Sequence, residues 1–300
     1  MIELVGLTKA YRARVAVDDL TVTIEPGRVT GFLGPNGSGK TTTLRCVLGL
    51  TRPTSGTATV LGRPYRSLRH PMRRVGALID PAARHPARTA HAHLRALAQT
   101  NGLPVDRVDE MIDLVGLESV AHERVGSFSL GMGQRLGIAA ALLGDPDVLL
   151  LDEPVNGLDP EGIRWVRELL RDLADEGRTV LVSSHLMSEM EDTADHLVVL
   201  GRGRLLADLP MADLLDQHAA IRVRSPQGPL LAAALRRLGA VVELELDGAL
   251  RVEGLGLDEV GDVAFAAGVR LHELTRITES LEAAYLELTG DAVEYRASGL

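Results

Sequence analysis

Cysteine is almost missing from these 300 residues: Cys46 stands alone. No intramolecular disulfide can form, which excludes the stapled framework of a small secreted domain and fits a reducing compartment. Long apolar runs are missing too. The longest, near Leu136–Gly144, falls far short of the roughly 18–20 residues that span a bilayer. Met1–Ala16 carries acidic Glu3 and no basic-then-apolar leader, so the chain is expected neither to be secreted nor to cross a membrane by itself. An excess of positive charge is absent as well. The net charge of −9 argues against a sequence-nonspecific nucleic-acid binder and against attachment to anionic lipid by charge alone. Lysine is the last scarcity: of 32 basic residues only Lys9 and Lys40 are lysines. Where a positive charge is merely useful this chain uses arginine, so a lysine that remains is a candidate for specific chemistry.

What is present is ordinary globular material, 45% apolar and 24% charged, in a length that suits one large domain and a smaller one. From residue 1 to about 210, short β-branched runs alternate with helical stretches, the pattern of a sheet flanked by helices. The opening reads as largely β. Thr21–Ile24 alternates polar and apolar, Pro26-Gly27 signals a turn, and Val29–Leu33 is an apolar run ending at glycine. Val148–Leu151 and Thr179–Val182 are continuous apolar runs, as parallel strands buried on both faces are. Between them and the first core strand, residues 81–145 read as a helical insertion, with Thr89 capping a helix to Gln99 and a second helix over Val105–Val115. Its entry, Asp80 to Pro86, is rich in proline and arginine and reads as a surface loop. Residues 211–300 change texture. A strand near Ile221–Arg224, a helix over Leu230–Leu238, strands Val241–Leu246 and Ala249–Val252, a helix over Leu257–Ala267, a strand over Val269–Thr275 and a helix over Glu279–Leu288 are expected. That β-α-β-β-α-β order is the ferredoxin-like split unit.

The most specific local pattern is Gly34-Pro35-Asn36-Gly37-Ser38-Gly39-Lys40-Thr41, which matches G-x-x-x-x-G-K-[ST] and lies between the strand Val29–Leu33 and a helical stretch. Its glycines let backbone N–H groups turn toward phosphate oxygens, and the helix after the loop offers its positive end to the same anion. Lys40 would reach the β- and γ-phosphates, and the Thr41 hydroxyl would bind Mg²⁺. A partner acid at the end of a buried strand is expected, and Val148–Leu151 is followed by Asp152 and Glu153. Asp152 suits an outer carboxylate for the metal and Glu153 a base that polarises the attacking water. Two acids that merely open a loop are the alternative.

Taken together, the motifs resemble the ATP-binding cassette of ABC transporters. Ser129-Leu130-Gly131-Met132-Gly133-Gln134-Arg135 resembles that family's signature, 23 residues before Asp152; Asn156-Gly157-Leu158-Asp159 resembles its D-loop and Ser183-Ser184-His185 its switch histidine. The tail Leu281–Thr289 is similar to the end of ATPase subunits from bacterial drug and antibiotic exporters with a separate permease, and the arginine- and alanine-heavy usage resembles actinobacterial members. The resemblance implies an α/β P-loop NTPase fold: a RecA-like core with an antiparallel β portion and a helical subdomain over residues 1–210, then a small accessory domain. It also implies that the cofactors are ATP and Mg²⁺, and that the partners are a second cassette, forming a homodimer or cassette dimer head to tail, and an integral membrane permease, with no nucleic acid. The chain would then work on the cytoplasmic face of the membrane as a peripheral subunit. A soluble, non-transport ATPase of the same family is the competing function.

Residue roles come from the same resemblance. Tyr11, 23 residues before Gly34, would stack on adenine, or else is a plain surface tyrosine. Residues Gly34–Thr41 with Thr42 would hold the phosphates. Ser129 and Gly131 would touch the γ-phosphate bound to the partner copy, and Asp159 would face the dimer seam; both Ser129 and Asp159 also read as helix N-caps. His185 would hydrogen-bond the γ-phosphate and the attacking water. Two positions depart from the family pattern. Leu130 stands where the signature has the first of two glycines, and Asp80 where most members have glutamine; its carboxylate can join the Mg²⁺ shell.

Overall fold

A computed structural model describes residues 1–12, 14–80, 82–217, 219–278, and 281, 282 and 285. The chain opens with β1 (Ile2–Tyr11), β2 (Arg14–Ile24), β3 (Arg28–Leu33), α1 (Lys40–Val47), β4 (Ser55–Val60) and β5 (Val75–Leu78). Helices α2 (Ala90–Thr100), α3 (Arg107–Leu114) and α4 (Leu130–Leu142) come after them. Next are β6 (Val148–Asp152), α5 (Pro160–Asp175), β7 (Thr179–Ser184), α6 (Met187–Glu191), β8 (His196–Gly201), β9 (Arg204–Pro210) and α7 (Met211–Gln217). The last elements are β10 (Ala219–Arg224), α8 (Gly228–Arg237), β11 (Val241–Leu244), β12 (Leu250–Glu253), α9 (Leu257–Ala266) and β13 (Glu273–Thr278). Two compact units result, Met1–Met211 and Ala212–Glu287.

In the first unit a six-stranded sheet has the order β5-β6-β7-β3-β8-β9. Its first five strands are parallel and β9 closes the edge antiparallel to β8. Every residue of β6, β7 and β8 is buried, which is why these strands read as unbroken apolar runs and not as alternating ones. A second, antiparallel sheet, β2-β1-β4, sends Ile2, Leu7, Leu20 and Val60 into the same core as Phe32, Leu44 and Leu150. The pairing register brings the strand ends together. Phe32 of β3 is level with Ser183 of β7, and Ser183 is level with Asp152 of β6. The carboxyl ends of three adjacent strands therefore finish side by side, where open parallel sheets bind ligands.

The second unit has one antiparallel sheet, β11-β12-β10-β13, the strand order of the ferredoxin-like split unit. Its own core joins Val223, Leu231, Leu235, Val252 and Val260. Two strands differ from the sequence expectation. The expected strand Val269–Thr275 begins at Glu273 instead, because Gly268 at φ +65° turns the chain and Val269 N donates back to Ala264 O, closing α9. The expected strand Val241–Leu246 ends at Leu244, because Gly248 N donates to Glu245 O in the turn to β12. The expected helix over Glu279–Leu288 lies largely outside the described residues.

Candidate functional site: a phosphate cradle beside an acid pair

The loop from Gly34 to Gly39 joins β3 to α1, and its residues Pro35–Gly39 with Tyr11, Arg14, Lys40, Thr41, Thr42 and Glu153 line a cavity of about 400 Å³. Glycine is required at position 39. Its φ is +107°, and a Cβ there would lie 2.5 Å from the carbonyl oxygen of Ala16. Lys40, the first residue of α1, is buried, and its Nζ donates to Gly34 O at 2.5 Å. Burial lowers the Lys40 pKa from its ordinary value, and the negative charges of Glu153 and Asp152 hold it up.

The Thr41 hydroxyl donates to Asp152 Oδ2 at 2.6 Å. Asp152 is buried at the end of β6, and its other oxygen accepts from the Ser183 hydroxyl. Glu153 comes next with φ +53°, a left-handed conformation uncommon outside glycine. Three backbone contacts hold it there: its N–H donates to both the carbonyl and the hydroxyl oxygen of Ser183 at 3.1 Å, and its carbonyl accepts from Gln134 Nε2 at 2.6 Å. The result aims the side chain at His185, whose Nδ1 is 2.7 Å from Glu153 Oε2. Behind this pair, the Ser184 hydroxyl is 3.3 Å from Glu189 Oε2. Burial pushes the Glu189 carboxyl up, and that hydrogen bond opposes the shift.

Other expected site residues are placed elsewhere. Ser129 caps α4, its Oγ accepting from Met132 N at 3.2 Å, and Asp159 caps α5 through Gly162 N at 2.8 Å. The α4 start packs on the Asn156–Asp159 turn, so closely that a Cβ on Gly131 would lie 2.8 Å from Gly157 O. Neither Ser129 nor Gly131 lines the cradle. Asp80 does not either: its Oδ1 accepts from Ala82 N at 2.8 Å, and it lines a separate cavity of about 430 Å³ with Arg45, Tyr65, Arg84, His93 and Leu97. The short turn after β5 takes up the Asp80 carboxylate locally and keeps it from the Thr41–Asp152 pair. Gln134, Ser183 and Glu189 join the site although the sequence assigns none of them a role. Gln134 and Ser183 lie within the quoted motifs, but only the meeting of α4, β6 and β7 reveals what they hold.

A family model described as ABC transporter matches residues 17–156. An uncharacterized ABC transporter ATP-binding protein, YhcH of Bacillus subtilis (strain 168), is 37% identical over 303 residues, covering 98% of this chain and 97% of the relative. This chain belongs to the ATP-binding proteins of ABC transporters. The cassette is also 41% identical over 221 residues to the bacitracin transport ATP-binding protein BcrA of Bacillus licheniformis, covering 73% of this chain and 72% of that one. A solved ATP-binding subunit of an ABC transporter shares the fold at TM-score 0.66 and 24% identity, over 88% of this chain and 99% of the solved one. A second family model, a domain of unknown function (DUF8746), matches residues 219–282.

Proposed function

We propose that this chain is the ATP-hydrolysing subunit of an exporter of antibiotic-like molecules, peripheral to the membrane and coupled to a separate permease. The observation that carries the chemistry is the Thr41–Asp152 hydrogen bond of 2.6 Å at the foot of a cradle that also holds Lys40 and Glu153. A hydroxyl and a carboxylate as close neighbours are hard oxygen donors that fit Mg²⁺. Among the described residues no cluster of three or more His, Cys, Asp or Glu side chains could hold a metal, which suits an ion that takes its remaining ligands from phosphate and water. When bound, the ion neutralises charge on the β- and γ-phosphates. Lys40 and the loop N–H groups bind and orient the triphosphate. Glu153 accepts the proton of the attacking water, and His185, hydrogen-bonded to Glu153, orients that carboxylate and reaches the γ-phosphate.

Two copies are needed for a complete site. Ser129 and Gly131 offer a capped helix start to an anion, yet they lie outside their own chain's cradle, so they serve the cradle of a second copy. The cavity around Asp80, Arg84 and His93 is the surface that receives the permease. The transport name of the bacitracin relative favours a transport role over a soluble, non-transport ATPase. Glu153→Gln keeps the shape of the side chain and removes the base, so MgATP should still bind while turnover falls by roughly 10²–10⁴-fold. Turnover at the wild-type rate contradicts the assignment.

A further inference from the structure

One of the two lysines remains without a task. Lys9 lies on β1, and its Nζ stands 4.7 Å from the centroid of the Tyr11 ring. The ammonium is also anchored, donating to Arg52 O at 3.0 Å. That anchor is itself tied to the strand, because Thr54 N donates to Thr8 O at 2.8 Å and Ala10 N donates to Thr54 Oγ1 at 3.0 Å. Tyr11 lines the cradle cavity and Lys9 does not.

A cation over one face of an aromatic ring draws π density toward itself. The opposite face becomes less electron-rich, which favours offset stacking of an electron-rich base on it. The same contact holds an otherwise exposed ring in one orientation before the nucleotide arrives, so less freedom is lost on binding. A compact ammonium can stand over the ring and reach a carbonyl at once, whereas a planar guanidinium stacks flat and spreads its donors. That difference gives a reason for lysine here in a chain that otherwise uses arginine.

We propose that Lys9 is a positioning residue for base recognition: by covering one face of Tyr11 it prepares the other to stack on a purine and favours ATP over pyrimidine nucleotides. The proposal rests on the reading that Tyr11 stacks on the base. It is tested by calorimetry on the full chain with Mg²⁺ and three probes, namely ATP, CTP and inorganic tripolyphosphate, which has no base. Lys9→Met keeps the aliphatic stem and removes the charge. ATP affinity should fall about two- to fivefold, as expected of an exposed cation–π contact, CTP affinity should fall less, and tripolyphosphate affinity should not change. Combined with Tyr11→Ala, Lys9→Met should cost nothing further. If Tyr11→Ala weakens ATP but Lys9→Met does not, or if Lys9→Met weakens ATP and tripolyphosphate alike, the role of Lys9 is wrong and the stacking reading stands. If Tyr11→Ala itself leaves ATP affinity unchanged, the stacking reading fails and the proposal with it.

Discussion

Lys40 carries opposed demands at the scale of one residue. Burial disfavours its charge, while Asp152 and Glu153 favour it. Because its folded pKa lies below the ordinary 10.5, the unfolded chain holds that proton to higher pH than the folded one. Nucleotide-free stability should therefore gain a component as pH rises through the window between the lowered value and 10.5. Lys40→Met should remove that component in denaturant melts across the alkaline range, and superimposable profiles for the two proteins would show that burial does not dominate. The same substitution takes from the cradle its one lysine and should weaken MgATP binding about 10- to 100-fold, the scale of hydrogen bonds to charged groups.

Among the elements, helix starts are the most legible part of the sequence. Thr89, Ser129 and Asp159 read as caps, and each accepts the backbone N–H three residues on, because capping is a local bargain between neighbours in the chain. Asp159→Ala should accordingly lower stability by about 1 kcal/mol while Asp159→Asn retains most of it; equal denaturation midpoints for the alanine variant and the parent would contradict the cap. The phosphate loop is legible for the same reason, as one contiguous motif between a strand and a helix. Strands are less so. β1 shifts register three times against β2, and β4, Ser-Gly-Thr-Ala-Thr-Val, alternates polar with small residues of which only Val60 is buried, so the apolar signal of both is weak. The inner bonds of the site are not legible at all. The Ser183 contacts with both acids follow from β7 and β6 ending level, and the Gln134 grip on the Glu153 carbonyl follows from α4 meeting that strand end, arrangements that no local pattern encodes.

For the whole molecule, every residue given a part in hydrolysis belongs to Met1–Met211, and Ala212–Glu287 is built around a core of its own. No helix among the described residues is long and apolar enough to cross a membrane, and the net charge of −9 is repelled by anionic headgroups. On the proposed function, attachment comes through the permease. Expressed with its permease the chain should move to the membrane fraction, and Arg84→Glu in the cavity shared with Asp80 and His93 should release it; salt-resistant membrane binding by the chain alone would rule out a permease-dependent attachment. On the proposed function one chain holds only half of each catalytic site. The decisive measurement is sedimentation of Glu153→Gln in saturating MgATP, since a variant that binds but does not turn over should trap the closed pair. A dimer that returns to monomer when nucleotide is removed is expected, whereas a strictly monomeric species with ATP bound would contradict the shared site.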